Sequence, residues 1–145
     1  MPTTKSKRHD GQLTATSGEL FVAAELLKRG VQIAVTFGNA KSIDLLAYNP
    51  TTEKQFAIQV KALYSKNPFL IGHNKIKKEH IYVFVMLNKP GEIVQYYVVP
   101  GKDLHADPAR FGKSFTDEKM PGIHPKALAA LGYENAWSIF GASVA

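Results

Sequence analysis

Residues 42–48 read Ser-Ile-Asp-Leu-Leu-Ala-Tyr, and residues 55–62 read Gln-Phe-Ala-Ile-Gln-Val-Lys-Ala. Apolar side chains dominate both runs and recur at alternate positions, a pattern that predicts two β-strands. The residues between them, Asn-Pro-Thr-Thr-Glu-Lys at 49–54, are typical of a turn. The two runs are therefore predicted to form one β-hairpin.

The predicted hairpin brings an acid, an amide and an amine together on one face. With the turn centred at residues 51–52, Asp44 lies opposite Gln59, and Lys61 lies two residues further along the same face. The other face is apolar and is predicted to belong to the core; it carries Ile43, Leu45, Ala47, Phe56, Ile58, Val60 and Ala62. Polar and charged groups in such strands need hydrogen-bonding partners, an ion pair or a metal.

An aspartate followed by a strand that ends in Glu/Gln-x-Lys is similar to the active-site signature of the PD-(D/E)XK nuclease superfamily, which has the restriction-endonuclease-like fold. Here the matching residues are Ile43-Asp44 and Gln59-Val60-Lys61. Upstream, residues 17–27 resemble the first helix of that family, with Glu19 as its inward glutamate. The sequence departs from the signature at Ile43, where the family has proline, and at Gln59, where it has a second acidic residue.

The resemblance implies hydrolysis of the DNA backbone by a water molecule that Mg²⁺ or Mn²⁺ activates. In that scheme Asp44 is the main metal ligand, and Gln59, the backbone carbonyl of Val60 and Glu19 are further ligands. Lys61 would orient or deprotonate the water and offset charge on the phosphoryl group. Because Gln59 lacks the negative charge of a carboxylate, metal affinity should fall unless Glu19 compensates.

Other interpretations of these residues stay open. A nuclease-fold module that lost cleavage through the Gln59 departure, and that binds nucleic acid or a protein partner, is the main alternative. Asp44 could instead pair with Lys41 or Lys61. Thr16-x-x-Glu19 also fits a capping box, in which Glu19 would serve only its own helix terminus.

The net charge is +6, from 18 Lys and Arg against 12 Asp and Glu. This surplus favours a polyanionic partner, and DNA is expected. The lysines expected to contact DNA are Lys41, Lys66, Lys75, Lys77 and Lys78; a solvated basic loop is an equally good interpretation of the segment that holds the last four. A homodimer is a further expectation, because many similar domains must cut two strands.

Composition excludes several classes. The 145 residues, 45% apolar and 21% charged, suit one globular domain. Without cysteine there is no disulfide, thiolate nucleophile or cysteine zinc site, and the histidines lack zinc-ligand spacing. The longest apolar run, residues 81–87, is too short to span a membrane, and no secretory signal is visible. A cytoplasmic protein with no membrane partner is therefore expected.

The predicted architecture is α/β. A flexible basic tail over residues 1–15 precedes a single nuclease-like domain over residues 16–145. A helix should begin at Thr16 or Ser17 and end at Gly30, with Leu20, Ala23, Ala24 and Leu27 as its apolar stripe. A mixed sheet of about five strands follows, in an αβββαβ core whose crossover helix would have to lie near residues 74–80, and short helices follow at 125–131 and 136–140.

Overall fold

The structure, a computed structural model, describes residues 10–36, 42–65 and 67–145. Residues 1–9 of the predicted tail, and the predicted DNA contacts Lys41 and Lys66, lie outside these ranges.

A mixed five-stranded sheet forms the centre of the molecule, in the order β1-β2-β3-β5-β6. The neighbouring strands run antiparallel except β3 and β5, which are parallel. The described strands are β1 (Gln32–Val35), β2 (Leu45–Asn49), β3 (Lys54–Leu63), β4 (Phe69–Leu70), β5 (Ile81–Met86), β6 (Gln95–Pro100) and β7 (Gly122–Ile123). The predicted α/β class, with an N-terminal helix and a five-stranded mixed sheet, is confirmed.

Both faces of the central strands are covered. Helix α1 (Gly11–Lys28) and the 3-10 segment Trp137–Phe140 cover one face, over a core that includes Val22, Leu26, Leu45, Ile58, Val83 and Trp137. The other face lies under β4, β7, α2 (Gly101–Ala106) and α3 (Pro125–Ala130), over a largely aromatic core that includes Phe69, Tyr82, Phe84, Phe111 and Phe115. The aromatic side chains of the C-terminal segment, Tyr133, Trp137 and Phe140, belong to the core.

Helix α1 begins at Gly11, not at Thr16 or Ser17 as predicted, so residues 11–15 are helical. Its N-cap is Asp10, whose side chain accepts hydrogen bonds from the backbone N–H groups of Gln12 (2.8 Å) and Leu13 (3.4 Å). An aspartate at this position satisfies backbone donors that the helix itself cannot. Glu19 therefore lies well inside the helix, and the capping-box interpretation is wrong.

The buried face of α1 also differs from the predicted stripe. The buried residues are Gly18, Val22, Ala23 and Leu26, whereas Leu20, Ala24 and Leu27 are exposed. The true stripe runs through Gly18, Val22 and Leu26 at intervals of four residues. Glycine carries no hydrophobic signal, so the stripe is hard to recognise in the sequence.

The crossover from β3 to β5 contains no α-helix among its described residues. Where the αβββαβ pattern places a helix, the chain forms the two-residue strand β4, which pairs with β7, and a 3-10 turn at His73–Lys75. Pro68 and Gly72 disfavour a continuous helix here. Within the described ranges, no helix is both long enough and apolar enough to cross a membrane.

Candidate active site

Asp44 is fixed by hydrogen bonds to two segments of the sheet, β3 and the residue that follows β1. Its backbone N–H donates to the Ile58 carbonyl (2.9 Å), and its carbonyl accepts from the N–H and the Oγ1 of Thr36 (both 3.1 Å). Its side-chain Oδ2 accepts from the Val60 N–H at 2.7 Å. The observed pairing of β2 with β3 ends at Leu45 opposite Ile58, and the Asp44 N–H bonds to the same Ile58 carbonyl, so the position of Asp44 opposite Gln59 stays a prediction.

The bond from Val60 to Asp44 arises because β2 ends its pairing with β3 at Leu45. Beyond that point the Val60 N–H has no backbone partner on β2, and the Asp44 carboxylate takes that place. The N–H and C=O of one strand residue leave from the same edge, so the Val60 carbonyl oxygen also points towards Asp44. Asp44 and the Val60 carbonyl therefore offer oxygen atoms to the same small region.

Glu19 reaches this region from α1. The preceding residue, Gly18, is buried against β3, and a methyl group there would collide with Ala62 Cβ. Burial, the negative charge of Asp44 and a hydrogen bond with the Asp44 side chain together raise the pKa of Glu19 to about 7. Two carboxyl groups that meet in this way need either a shared proton or a cation between them.

Gln59 is held by the side chains of His80, which directly precedes the neighbouring strand β5, and Tyr82, which lies in it. Its Nε2 lies 2.9 Å from His80 Nδ1 and donates to the Tyr82 hydroxyl at 3.1 Å. The same hydroxyl accepts from the Lys77 N–H at 2.8 Å, and burial raises the pKa of Tyr82. With both amide hydrogens used in this way, the amide oxygen is the end of Gln59 that can bind a metal.

Gln59 and Lys61 line a cavity of about 560 Å³ between the sheet and the segments that flank β4 and β7. Four lysines contribute to it: Lys61, Lys75, Lys77 and Lys119. Lys75 and Lys77 are among the predicted DNA contacts, whereas Lys78 is exposed and lies outside the lining. Lys119 was not among the predicted residues.

The structure thus forms two groups of predicted residues and not one. Asp44 and Glu19 face each other, and Gln59 and Lys61 share the cavity, which neither carboxylate lines. Val60 connects the groups, since it lies between Gln59 and Lys61 and donates to Asp44. Asp44 and Lys61 form no ion pair. The simpler interpretation, in which these two residues only pair with each other, is therefore not supported by their positions.

Sequence reasoning missed His80 and Tyr82, which hold Gln59. Tyr82 is directly opposite Gln59 in the parallel register of β3 and β5. Both residues could have been found only if that pairing had been predicted, because the two segments are more than 20 residues apart.

Over the described ranges, no group of three or more His, Asp or Glu side chains is placed to hold a metal ion. Any metal at this position must therefore combine the two carboxylates with amide, backbone or water oxygen. No protein-family model matches the sequence, and no curated protein or solved structure matches it either.

Proposed function

We propose that this protein is a metal-dependent deoxyribonuclease that hydrolyses phosphodiester bonds in DNA. The observation that carries the proposal is the pair of carboxyl groups of Glu19 and Asp44, whose charged forms repel each other in a partly buried site. A divalent cation relieves such repulsion and binds carboxylate oxygen readily. The cavity lined by four lysines supports the proposal further, because it offers positive charge to phosphates and shares strand β3 with the residue that binds Asp44.

The donor atoms at this position fit Mg²⁺ or Mn²⁺. Asp44 and Glu19 would supply carboxylate oxygens and the Val60 carbonyl a backbone oxygen, whereas Gln59, which lies in the cavity with Lys61, would have to turn its amide oxygen towards them to join the set. All of these are oxygen donors, which hard divalent cations prefer. When bound, the cation would activate a water molecule for attack on phosphorus.

The remaining residues would act on the phosphate and on the proton of the attacking water. The hydrogen bonds around Asp44 hold its carboxylate in place before substrate arrives, which lowers the cost of ordering the site. Lys61 extends into the cavity from the same strand as Gln59. Its ammonium group would stabilise negative charge that develops on the phosphate, and its neutral form would accept a proton from the water.

A binding module without cleavage activity is the second candidate function, and the position of Gln59 favours it. The amide stands where the family resemblance implies a carboxylate, and its hydrogens are engaged by His80 and Tyr82. In that case the lysine-lined cavity would bind DNA, and the carboxyl pair would share a proton instead of holding a cation.

Plasmid nicking in the presence of Mg²⁺ or Mn²⁺ tests the proposal. We expect the wild type to nick plasmid DNA, and Asp44→Asn and Lys61→Ala to lower the rate by about 100-fold or more, because each removes a group that acts on the reacting atoms. The isosteric asparagine retains an oxygen that can accept from the Val60 N–H. The measurement is the loss of supercoiled plasmid with time.

Two matched variants serve as controls. Asp107→Asn changes an exposed aspartate whose side chain caps no helix, and Lys54→Ala changes an exposed lysine at the other end of β3. Both should cleave at the wild-type rate. Undiminished cleavage by Asp44→Asn would overturn the proposal, and DNA binding by a wild type that never cleaves would favour the binding module.

A further inference from the structure

The lysine-lined cavity has an apolar side that phosphate binding does not explain. Leu70, Ile71, Met120 and Pro121 line it together with the lysines. Leu70 is 67% exposed and Met120 is 71% exposed, although both are large apolar residues. Exposed apolar side chains that share a cavity lining with four lysines fit a partner that is both apolar and negatively charged.

A nucleotide has this combination, because its base is a flat apolar body and its phosphate is an anion. The volume of about 560 Å³ lies within the range of about 300–1,000 Å³ that small-ligand pockets have. Side chains such as Leu, Met and Pro are those that proteins insert between bases to unstack them. The four lysines would meanwhile hold the phosphates on either side of the displaced nucleotide.

The cavity is also connected to the candidate active site. Lys61 lines the cavity, and the residue before it, Val60, donates to Asp44. Strand β3 thus links the wall of the cavity to the carboxyl pair. A base that is still paired and stacked in a duplex cannot enter such a cavity.

We propose that the cavity receives an unstacked nucleotide, so that the preferred ligand is DNA with an unpaired position and not fully paired duplex. This proposal rests on the proposed function for the identity of the nucleic acid. Leu70 and Met120 keep the displaced base out of the stack, and the lysines bind its phosphates. In an intact duplex a base pair must be broken before the base can leave the stack, and this costs free energy. At a bulge or a mismatch that base pair is already absent, so DNA with an unpaired position is preferred.

Binding to labelled DNA in EDTA tests the proposal without any need for cleavage. We expect the full-length wild type to bind a duplex with one unpaired nucleotide about tenfold more tightly than the fully paired duplex of equal length, since stacking of one base has that order of effect. In Leu70→Thr/Met120→Thr the preference should disappear. Affinity for paired duplex should stay within about twofold, because the lysines are intact.

Ile93→Thr is the matched control, because Ile93 is 83% exposed and lies in the turn between β5 and β6, outside the cavity lining. It should retain the tenfold preference. Equal binding of both duplexes by the wild type, no DNA binding at all, or a preference that survives in the double variant would each overturn the proposal. A double variant that loses self-association in sedimentation while keeping the DNA preference would mark the pair as a dimer contact and likewise overturn it.

Failure of this proposal and failure of the proposed function give different results. A protein that prefers the unpaired nucleotide but never cleaves would keep the cavity assignment and lose the nuclease assignment. A protein that cleaves, but binds paired and unpaired DNA equally in EDTA, would keep the nuclease assignment and lose the cavity assignment.

Discussion

Glu19 and Asp44 give the metal-free protein a defined dependence on pH. In the folded protein Glu19 keeps its proton up to a pH of about 7, whereas its ordinary pKa is 4.5. Between these two values the folded state binds more protons than the unfolded state, so stability falls as the pH rises from 4.5 to about 7. Burial and the charge of Asp44 are the causes, and both act against the charged form of Glu19.

Glu19→Gln should remove this dependence, because the amide is neutral at every pH. Without divalent metal, we expect the variant to melt about 2–4 °C higher than the wild type at pH 8 and at nearly the same temperature at pH 5. Addition of Mn²⁺ at pH 8 should raise the melting temperature of the wild type more than that of the variant. Thermal melts at the two pH values provide the measurement.

Glu118→Gln is the control, because Glu118 is exposed and is not paired with Asp44. It should melt like the wild type at both pH values. If Glu19→Gln melted like the wild type at pH 5 and pH 8 alike, the carboxyl pair would not carry the repulsion from which a cation site is inferred.

Gln59 has a structural reason to be an amide. Its Nε2 lies within hydrogen-bond distance of His80 Nδ1 and donates to the Tyr82 hydroxyl, whereas a carboxylate could only accept from these two groups. The residue that departs from the nuclease signature is therefore part of a local hydrogen-bond network. Glu19 is consequently the residue that must supply the second negative charge to a metal.

At the scale of elements, the close approach of α1 to β3 decides whether Glu19 can reach Asp44. Gly18 permits this approach, because any side chain at that position would meet Ala62 Cβ. We expect Gly18→Ala to lower the free energy of unfolding by about 1–3 kcal/mol, as overpacking of a core contact does. The stabilisation of this variant by bound metal should also be smaller, because helix α1 must move away from the sheet.

Two further variants make this test specific, with denaturant unfolding in the presence and absence of Mn²⁺ as the measurement. Gly11→Ala adds the same methyl group to the same helix where nothing lies within 4 Å, so it should be neutral or slightly stabilising. The double variant Gly18→Ala/Ala62→Gly moves the methyl group to the other side of the contact. It should recover much of the free energy of unfolding that Gly18→Ala loses. A Gly18→Ala variant as stable as Gly11→Ala would show that the close contact is unimportant.

The elements that sequence predicts best here are those whose geometry is local. The register of the hairpin, from Leu45 opposite Ile58 to Asn49 opposite Lys54, could be derived because a short turn fixes it. The buried face of α1 could not, since it is determined by how Gly18 fits against Ala62 on another element. The network around Gln59 depends on the parallel pairing of β3 with β5, which no turn specifies.

The start of α1 and the form of the crossover were missed for other reasons. Asp10 is a good N-cap, but the residues that follow it are not strongly patterned. The sequence therefore predicts a later start for the helix than the structure has. In the crossover, β4 is stabilised by pairing with β7, which lies more than 50 residues further along the chain. Such long-range pairing leaves little trace in the local sequence.

At the scale of the whole molecule, the sheet separates two layers and the candidate site lies where both can contribute. Helix α1 brings Glu19 from one layer, whereas the segments around β4 and β7 bring Lys75, Lys77 and Lys119 from the other. The strand β3 passes between them and carries Gln59, Val60 and Lys61. Glu19 and these three lysines thus come from opposite layers of the molecule, whereas Asp44 and Lys61 come from the sheet between them.

The most direct test of the central claim is a crystal structure of the protein soaked in Mn²⁺, with the metal located by its anomalous scattering. The proposal predicts one Mn²⁺ bound by the carboxylates of both Glu19 and Asp44, within about 2.0–2.3 Å of their oxygens. Absence of an anomalous peak at saturating Mn²⁺ and pH 8, with the two carboxyl groups still in contact, would contradict it.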